Sequence, residues 1–242
     1  MVPPSSVEAA APVLPGPVAV PRVPGYLDQT YWWAYVHPKA VHFFEREWLV
    51  NLILFGNYKR LCDAALAELG EPVQGHTLQL ACVYGDLTPR LRERLAPDAR
   101  LDVVDVLTIQ LRNLAAKMPR DERVALLHGD SSALAAPDAS YDQVLLFFLL
   151  HEQPEHVRRG TLAEAMRVVK PGGKVVIVDY HRPGGAHPLR PLMRQVFRHL
   201  EPFAMDLWDH DVLEFLPAGV QPASVDKSTW FGGLYQKTVL VR

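Results

Sequence analysis

The stretch His76 to Thr88, HTLQLACVYGDLT, limits what this chain can become more than any other. Leu78, Leu80 and Cys82 read as a short buried strand, and Tyr84-Gly85-Asp86 as the turn that leaves it. Thr88 is placed to cap a helix beginning at Pro89, whose missing N–H costs nothing at a first helical position. Strand, tight turn and helix N-terminus together make the place where an α/β sheet receives a nucleotide-like ligand. Asp105, twenty residues after Gly85, ends a second apolar strand from Leu101 to Val104 and stands where an acid meets ribose hydroxyls.

The remaining strand and helix signals extend this pattern. Leu107 to Met118 reads as a helix, Val124 to Leu127 as a strand, and Gln143 to Leu149 as a strongly apolar strand. Pro154 to Val169 is predicted helical, Lys174 to Asp179 a further strand, and Leu192 to Leu200 a short helix. Residues 201–217 carry scattered apolar and acidic positions, the composition of a movable lid. Ser228 to Arg242 reads as two strands joined through Gly232-Gly233, an antiparallel edge hairpin. Apolar strands alternating with helices predict an α/β fold, Rossmann-like, with a mostly parallel sheet buried on both faces.

Three segments divide the chain: a Pro/Ala-rich tail over 1–25 expected to be disordered, an aromatic helical segment over 26–70, and the α/β domain over 71–242. The tail has neither the basic start nor the apolar stretch of a secretory signal. In the second segment Val41, Phe44, Trp48, Leu52 and Phe55 share one face of a helix starting at Pro38. Most of the segment reads first as a core helix packed on the sheet, while the rings between Tyr31 and His37, among them Trp33 and Tyr35, suit a flat apolar substrate. Tyr58 to Leu69 is a second helix, with Gly70 as its C-cap. A net charge of −2 without a dense Lys/Arg stripe argues against nucleic acid. The two cysteines, Cys62 and Cys82, lie in apolar surroundings, which fits a reducing compartment and not a disulfide framework.

From about residue 60 to 242 the order of elements resembles the class I S-adenosylmethionine (SAM) methyltransferase fold. There the first strand and turn commonly read acid-x-Gly-x-Gly-x-Gly; here the positions hold Gln79, Ala81, Val83 and Gly85. Other signatures stand in place: Asp105-Val106-Leu107 after the second strand, Gly129-Asp130-Ser131 after the third, Tyr141-Asp142 before the fourth, and Lys170-Pro171-Gly172-Gly173 before the fifth. The ending Phe231-Gly232-Gly233-Leu234-Tyr235 is similar to that of quinone C-methyltransferases. A narrower set is similar to the rhodoquinone-biosynthesis proteins: the Tyr84-Gly85 turn without upstream glycines, WWAYVHPKAVHFFEREWLVNLILFGNY, and FFLLHEQPEHVR.

That resemblance implies a cytoplasmic enzyme held against the inner membrane surface. It implies conversion of ubiquinone to rhodoquinone by exchange of a ring methoxy group for an amino group, with SAM as nitrogen source and manganese present. Tyr58, Gln79, Ala81, Tyr84, Gly85, Asp105, Val106, Asp130 and Ser131 would then line the SAM site. Attack on the methoxy-bearing carbon places negative charge on the ring carbonyl oxygen and requires an unprotonated nitrogen. His151, just past the fourth strand, is the first choice for proton transfer or metal contact, with Tyr180 and His181 beside it. Asp179 and His181 offer two ligands to a divalent ion of manganese type. Gln79 replaces an acid whose charge would keep the donor nitrogen protonated, so the amide is expected to ease deprotonation. Two other readings stand beside amination: a C- or O-methyltransferase on a lipophilic ring, and a non-catalytic subunit of a quinone-biosynthesis complex.

Overall fold

The computed structural model describes residues 23–32, 41 and 43–242. The expectations for the tail before residue 23, and those for Trp33, Tyr35, His37 and Pro38, lie outside the described residues. Seven strands form one sheet in the order β3-β2-β1-β4-β5-β7-β6. They are β1 His76–Leu80, β2 Arg100–Asp105, β3 Val124–His128, β4 Tyr141–Phe147, β5 Val169–Tyr180, β6 Ser224–Trp230 and β7 Tyr235–Val241. The first five run parallel, and β7 lies antiparallel between β5 and β6. This is the Rossmann-like sheet with a C-terminal antiparallel hairpin that the sequence predicts.

Described helices are α1 Gly25–Thr30, α2 Glu47–Ile53, α3 Tyr58–Leu69, α4 Leu87–Glu93, α5 Thr108–Lys117, α6 Glu155–Val168, α7 Arg190–His199 and α8 Ala204–Asp209. The sheet is covered on both faces because its inner strands are apolar at consecutive positions, not alternate ones. In β4, Leu145 and Phe147 pack with Leu61, Leu66 and Leu91 on one side, while Val144 and Leu146 pack with Leu162 and Phe215 on the other. β5 repeats the division, with Val176 and Val178 against Val175 and Ile177. Helix α3 buries Leu61, Cys62, Ala65, Leu66 and Leu69, the three-and-four spacing of a core-facing stripe.

Two local expectations change. Helix α4 begins at Leu87 and receives no side-chain cap; Thr88 lies inside it, its hydroxyl turned to Gln79. Residues 201–217 are anchored: Leu207, Trp208, Val212 and Phe215 are buried, which a loosely held lid would not achieve. The fully buried Arg158 fastens them by donating to the Phe203 carbonyl at 2.8 Å and pairing with Asp206 at 3.2 Å. The same guanidinium donates to the carbonyls of Leu150 and Gln153, so this segment is tied to the turn after β4.

Candidate active site

The turn after β1 is built by side chains from distant elements in place of glycines. Lys117 donates to the carbonyls of Val83 (3.1 Å) and Gly85 (2.7 Å). It also pairs with Glu45, whose carboxylate accepts from the Gly85 N–H at 3.1 Å. The Tyr58 hydroxyl accepts from the N–H of Asp86 (2.8 Å) and Leu87 (3.1 Å) and lies 3.2 Å from the Tyr84 carbonyl, to which it donates. The N–H groups of Gly85, Asp86 and Leu87 are therefore spent inside the protein, unlike the open amides of a phosphate-binding glycine-rich loop. Gly85 survives for a steric reason: its φ is +84°, and an added Cβ would collide with the Tyr58 hydroxyl and ring. Ala81 keeps the left-handed conformation of the glycine it replaces, with φ +69°.

Gln79 does not reach the cleft beyond this turn. It is fully buried, and its amide nitrogen donates to the Ala81 carbonyl at 3.0 Å and to Thr88 Oγ1 at 2.9 Å. A carboxylate there would face the Ala81 carbonyl with no proton to offer, so the amide has a structural reason that the sequence did not reveal. Tyr58 and Tyr84 stand behind the turn as well; the Tyr84 hydroxyl accepts from Gln110 at 2.9 Å.

Ala81, Asp105, Val106, Asp130 and Ser131 do come together, lining a cleft at the carboxyl ends of β1, β2 and β3. Tyr26 and Leu27 of α1 border it, held by an edge-to-face contact of Tyr26 with Phe203. Asp105 accepts from the N–H of Cys82 and of Leu107, both at 2.7 Å. Burial outweighs those bonds and pushes its pKa up to about 6. Asp130 takes the N–H and hydroxyl of Ser132 on one oxygen. Gln153, absent from the sequence reading, donates to Ser131 at 3.1 Å while its buried Oε1 has no donor. A buried acceptor of this kind calls for a ligand N–H, such as an adenine amino group. Three carboxylates, Asp105, Asp130 and Glu152, line the cleft, and among the described residues no Lys or Arg does. Such a site rejects phosphates and suits a nucleoside that carries positive charge.

Beyond Phe148, which lines the same cleft, lies a second group of residues. His151 is buried, with Nδ1 2.8 Å from Asp179 Oδ1 and Nε2 3.2 Å from Glu201 Oε2. Burial alone would favour the neutral ring, but the Asp179 and Glu201 carboxylates overcome it and hold the imidazole protonated well above the ordinary histidine range. Tyr180 packs edge-on to this ring at 4.8 Å. Glu201 had no sequence signal, lying fifty residues away in the segment read as a lid.

Rings continue outward from His151: Phe148 contacts Tyr180 and Tyr235, Tyr235 stacks on Phe231, and Phe231 stacks on Phe55. Phe55, Phe148 and Phe231 all have left-handed backbones, with φ of +50°, +52° and +51°. Three bulky residues in that region, joined by one line of ring contacts, concentrate backbone strain along one path through the fold. Asparagine tolerates this conformation better. Phe231→Asn is expected to leave the melting temperature within a few degrees of the parent, since relief of about 1–2 kcal/mol of strain offsets the lost ring contacts. If the rings receive a substrate, its KM should rise several-fold in the same variant, which steady-state kinetics would measure.

Asp179 and His181 are not brought together as metal ligands. Asp179 already accepts from the N–H of Leu150, His151 and Tyr180 and from the His151 ring. His181 Nδ1 faces the Gly233 carbonyl at 2.7 Å. Among the described residues no group of three or more His, Cys, Asp or Glu is placed to hold a metal ion. The side chains present do not fit manganese.

Residues 77–173 match a protein-family model described as a methyltransferase domain. A demethylmenaquinone methyltransferase of Staphylococcus aureus is 28% identical over 160 residues, which is 66% of this chain and 64% of that enzyme. The chain thus aligns with less than two thirds of that relative's length. Human N-acetylserotonin methyltransferase in complex with SAM superposes with a TM-score of 0.62 at 15% identity, over 91% of this chain and 60% of that one. A SAM-dependent methyltransferase of Aquifex aeolicus gives 0.52 at 16% identity, over 84% of this chain and 97% of its own. The fold is therefore that of the SAM methyltransferases.

Proposed function

We propose that this chain is a SAM-dependent transferase acting on the ring of a lipid quinone, and that in its finer form it exchanges a methoxy group of ubiquinone for an amino group to give rhodoquinone. The observation that carries the SAM half is the acidic cleft. SAM brings a sulfonium, an ammonium, two ribose hydroxyls and an adenine amino group, and no phosphate. Asp105 answers the hydroxyls, Asp130 and the free Oε1 of Gln153 answer the adenine edge, and Glu152 adds negative charge near the cationic end. The quinone half draws support from the strained ring surface and from the demethylmenaquinone relative.

In this reading the flat ring enters along Phe148, Tyr180, Tyr235 and Phe231, and His151 serves as the buried proton store. Asp179 orients the imidazolium through Nδ1, and a quinone oxygen that develops negative charge would take the Nε2 proton by displacing Glu201 from it. No step is assigned to manganese, because Asp179 is already occupied. The membrane surface is the expected meeting place with the substrate. No helix among the described residues is long and apolar enough to cross a membrane.

A second reading, methylation of a quinone ring carbon, is favoured by the methyltransferase-domain match and by the named activity of the relative. Quinone lipids extracted from a ubiquinone-producing host that expresses the chain separate the readings by mass. Rhodoquinone is the expected product. A methylated quinone would replace amination by the second reading, and an unchanged pool would leave only a non-catalytic subunit.

A further inference from the structure

The two carboxylates paired with the buried His151 ring have different surroundings. Asp179 has its acceptor sites filled, by the N–H groups of Leu150, His151 and Tyr180 and by Nδ1. Glu201 is the reverse case. Its Oε2 is buried and lies 3.2 Å from Nε2, yet it receives no aligned hydrogen bond, so the ion pair is its whole engagement there. A buried acceptor left open in this way is a place where a donor is expected.

The backbone of Glu201 is fixed. Its N–H donates to the Phe197 carbonyl at 3.2 Å, and its carbonyl accepts from the Ala204 N–H at 2.9 Å. Two residues on, the Phe203 carbonyl is held by Arg158. The side chain has no such anchor: among the described residues His151 is its one ion-pair partner, since Arg158 is committed to Asp206. After burial, the Glu201 charge does most to raise the hydroxyls of Tyr31 and Tyr180, so the carboxylate also faces those two residues. Glu152 lies 3.7 Å from the same Nε2 and lines the cofactor cleft. The edge of the imidazole that Glu201 covers is therefore the edge that borders the cleft.

We propose that Glu201 is the general base of the reaction, uncovered by the arriving quinone. The proposal rests on the amination reading and assigns the proton transfers within it. A quinone carbonyl that takes Nε2–H leaves the Glu201 carboxylate buried without a cation, and a carboxylate in that state binds a proton more strongly. The donor's unprotonated nitrogen bonds to the methoxy-bearing carbon while the carbonyl oxygen takes the Nε2 proton. The nitrogen, now positive, releases a proton to Glu201 Oε2. The carbonyl then re-forms and returns its proton to Nε2. As it does so the bond to the methoxy oxygen breaks, and that oxygen leaves with the proton held by Glu201. Methanol departs, both side chains are restored, and nothing is oxidised or reduced. Asp179, with its acceptor sites filled, cannot take this part.

Steady-state kinetics of the full chain with SAM and a short-tailed ubiquinone in detergent test the assignment. Glu201→Gln should lower kcat about a hundredfold or more, the usual worth of a general base, and leave SAM affinity and the quinone KM little changed. In Glu201→Ala, which leaves room for a small acid, acetate should restore part of the rate. Fluoroacetate, a weaker base of nearly the same size, should restore less. Equal rescue by the two anions, or none, makes Glu201 a counter-charge that only positions His151 and overturns the inference. A Glu201→Gln enzyme with the parent's kcat overturns it too, while the amination reading stands. A parent that methylates the ring or leaves ubiquinone unchanged overturns that reading and this step together.

Discussion

Asp105→Asn is expected to lower SAM affinity about ten- to a hundredfold without unfolding the protein, the loss of about 1.5–3 kcal/mol that goes with a charged acceptor. Asparagine is the milder change: it keeps one acceptor and turns its NH2 toward the other N–H, whereas alanine strands both the Cys82 and Leu107 N–H groups, which the carboxylate holds at 2.7 Å. The pH dependence separates charge from shape. Burial raises the Asp105 pKa from its ordinary value to about 6, so its contribution to stability is full below about pH 4 and is lost as pH rises through 6. Over that window the ligand-free parent loses up to about 3 kcal/mol from this group, at 1.36 kcal/mol per pKa unit. A cationic ligand prefers the ionised form, so SAM affinity should climb over the same interval in the parent and stay flat in Asp105→Asn. Calorimetric titrations on either side of pH 6 measure both; parallel slopes for the two proteins would remove Asp105 from the site.

Asp179→Ala is expected to be the most destabilising of these substitutions, by about 3–5 kcal/mol, because it removes the nearer of the two carboxylates that compensate a buried imidazolium. It also strands the N–H groups of Leu150, His151 and Tyr180. Asp179→Asn preserves volume and one acceptor, and reports on the histidine. In the parent the folded His151 pKa lies well above the ordinary value; burial opposes this, and Asp179 and Glu201 overcome it. Stability from a group raised in this way is full below about pH 6.5 and is lost as pH rises through the folded value. Urea unfolding should therefore weaken from neutral to alkaline pH in the parent and change less in Asp179→Asn. A parent whose stability is level over that range would show that His151 is neutral, and its role as proton store would fall.

The sheet was legible because its inner strands are apolar at every position, as in Val144 to Phe147 and Val175 to Val178. Asp105 was legible because the chain between two adjacent parallel strands has a characteristic length. The edge strand β6 was read four residues short: Ser224 to Trp230 is exposed along most of its length and carries no apolar period. The acidic lining of the cleft needed only strand-end positions, which spacing supplies. The partners of those residues were hidden. Glu201 and His151 lie fifty residues apart, and Glu45 and Gly85 forty, distances that no local pattern encodes. Gln79 was misread toward the ligand because its partners are a carbonyl set by the left-handed Ala81 and a hydroxyl inside α4. The lid reading of 201–217 failed for a similar reason: its few apolar residues are spaced irregularly, yet Trp208, Val212 and Phe215 all find the core.

Holding the β1 turn by Glu45, Tyr58 and Lys117 has a consequence for assembly. A glycine-rich turn carries its conformation in its own backbone and can form as soon as its strand does. This one borrows its conformation from a residue just ahead of α2, from the first residue of α3 and from the last of α5. The Gly85 amide should then exchange with the segment that carries Glu45, and the amides of Asp86 and Leu87 with α3, not with the strand beside them. Local opening of the segment before α2 would remove Glu45 alone, freeing the Gly85 amide and the Lys117 ammonium while Tyr58 keeps its bonds, so order at the N-terminal edge tunes the wall of the cleft without dismantling the sheet.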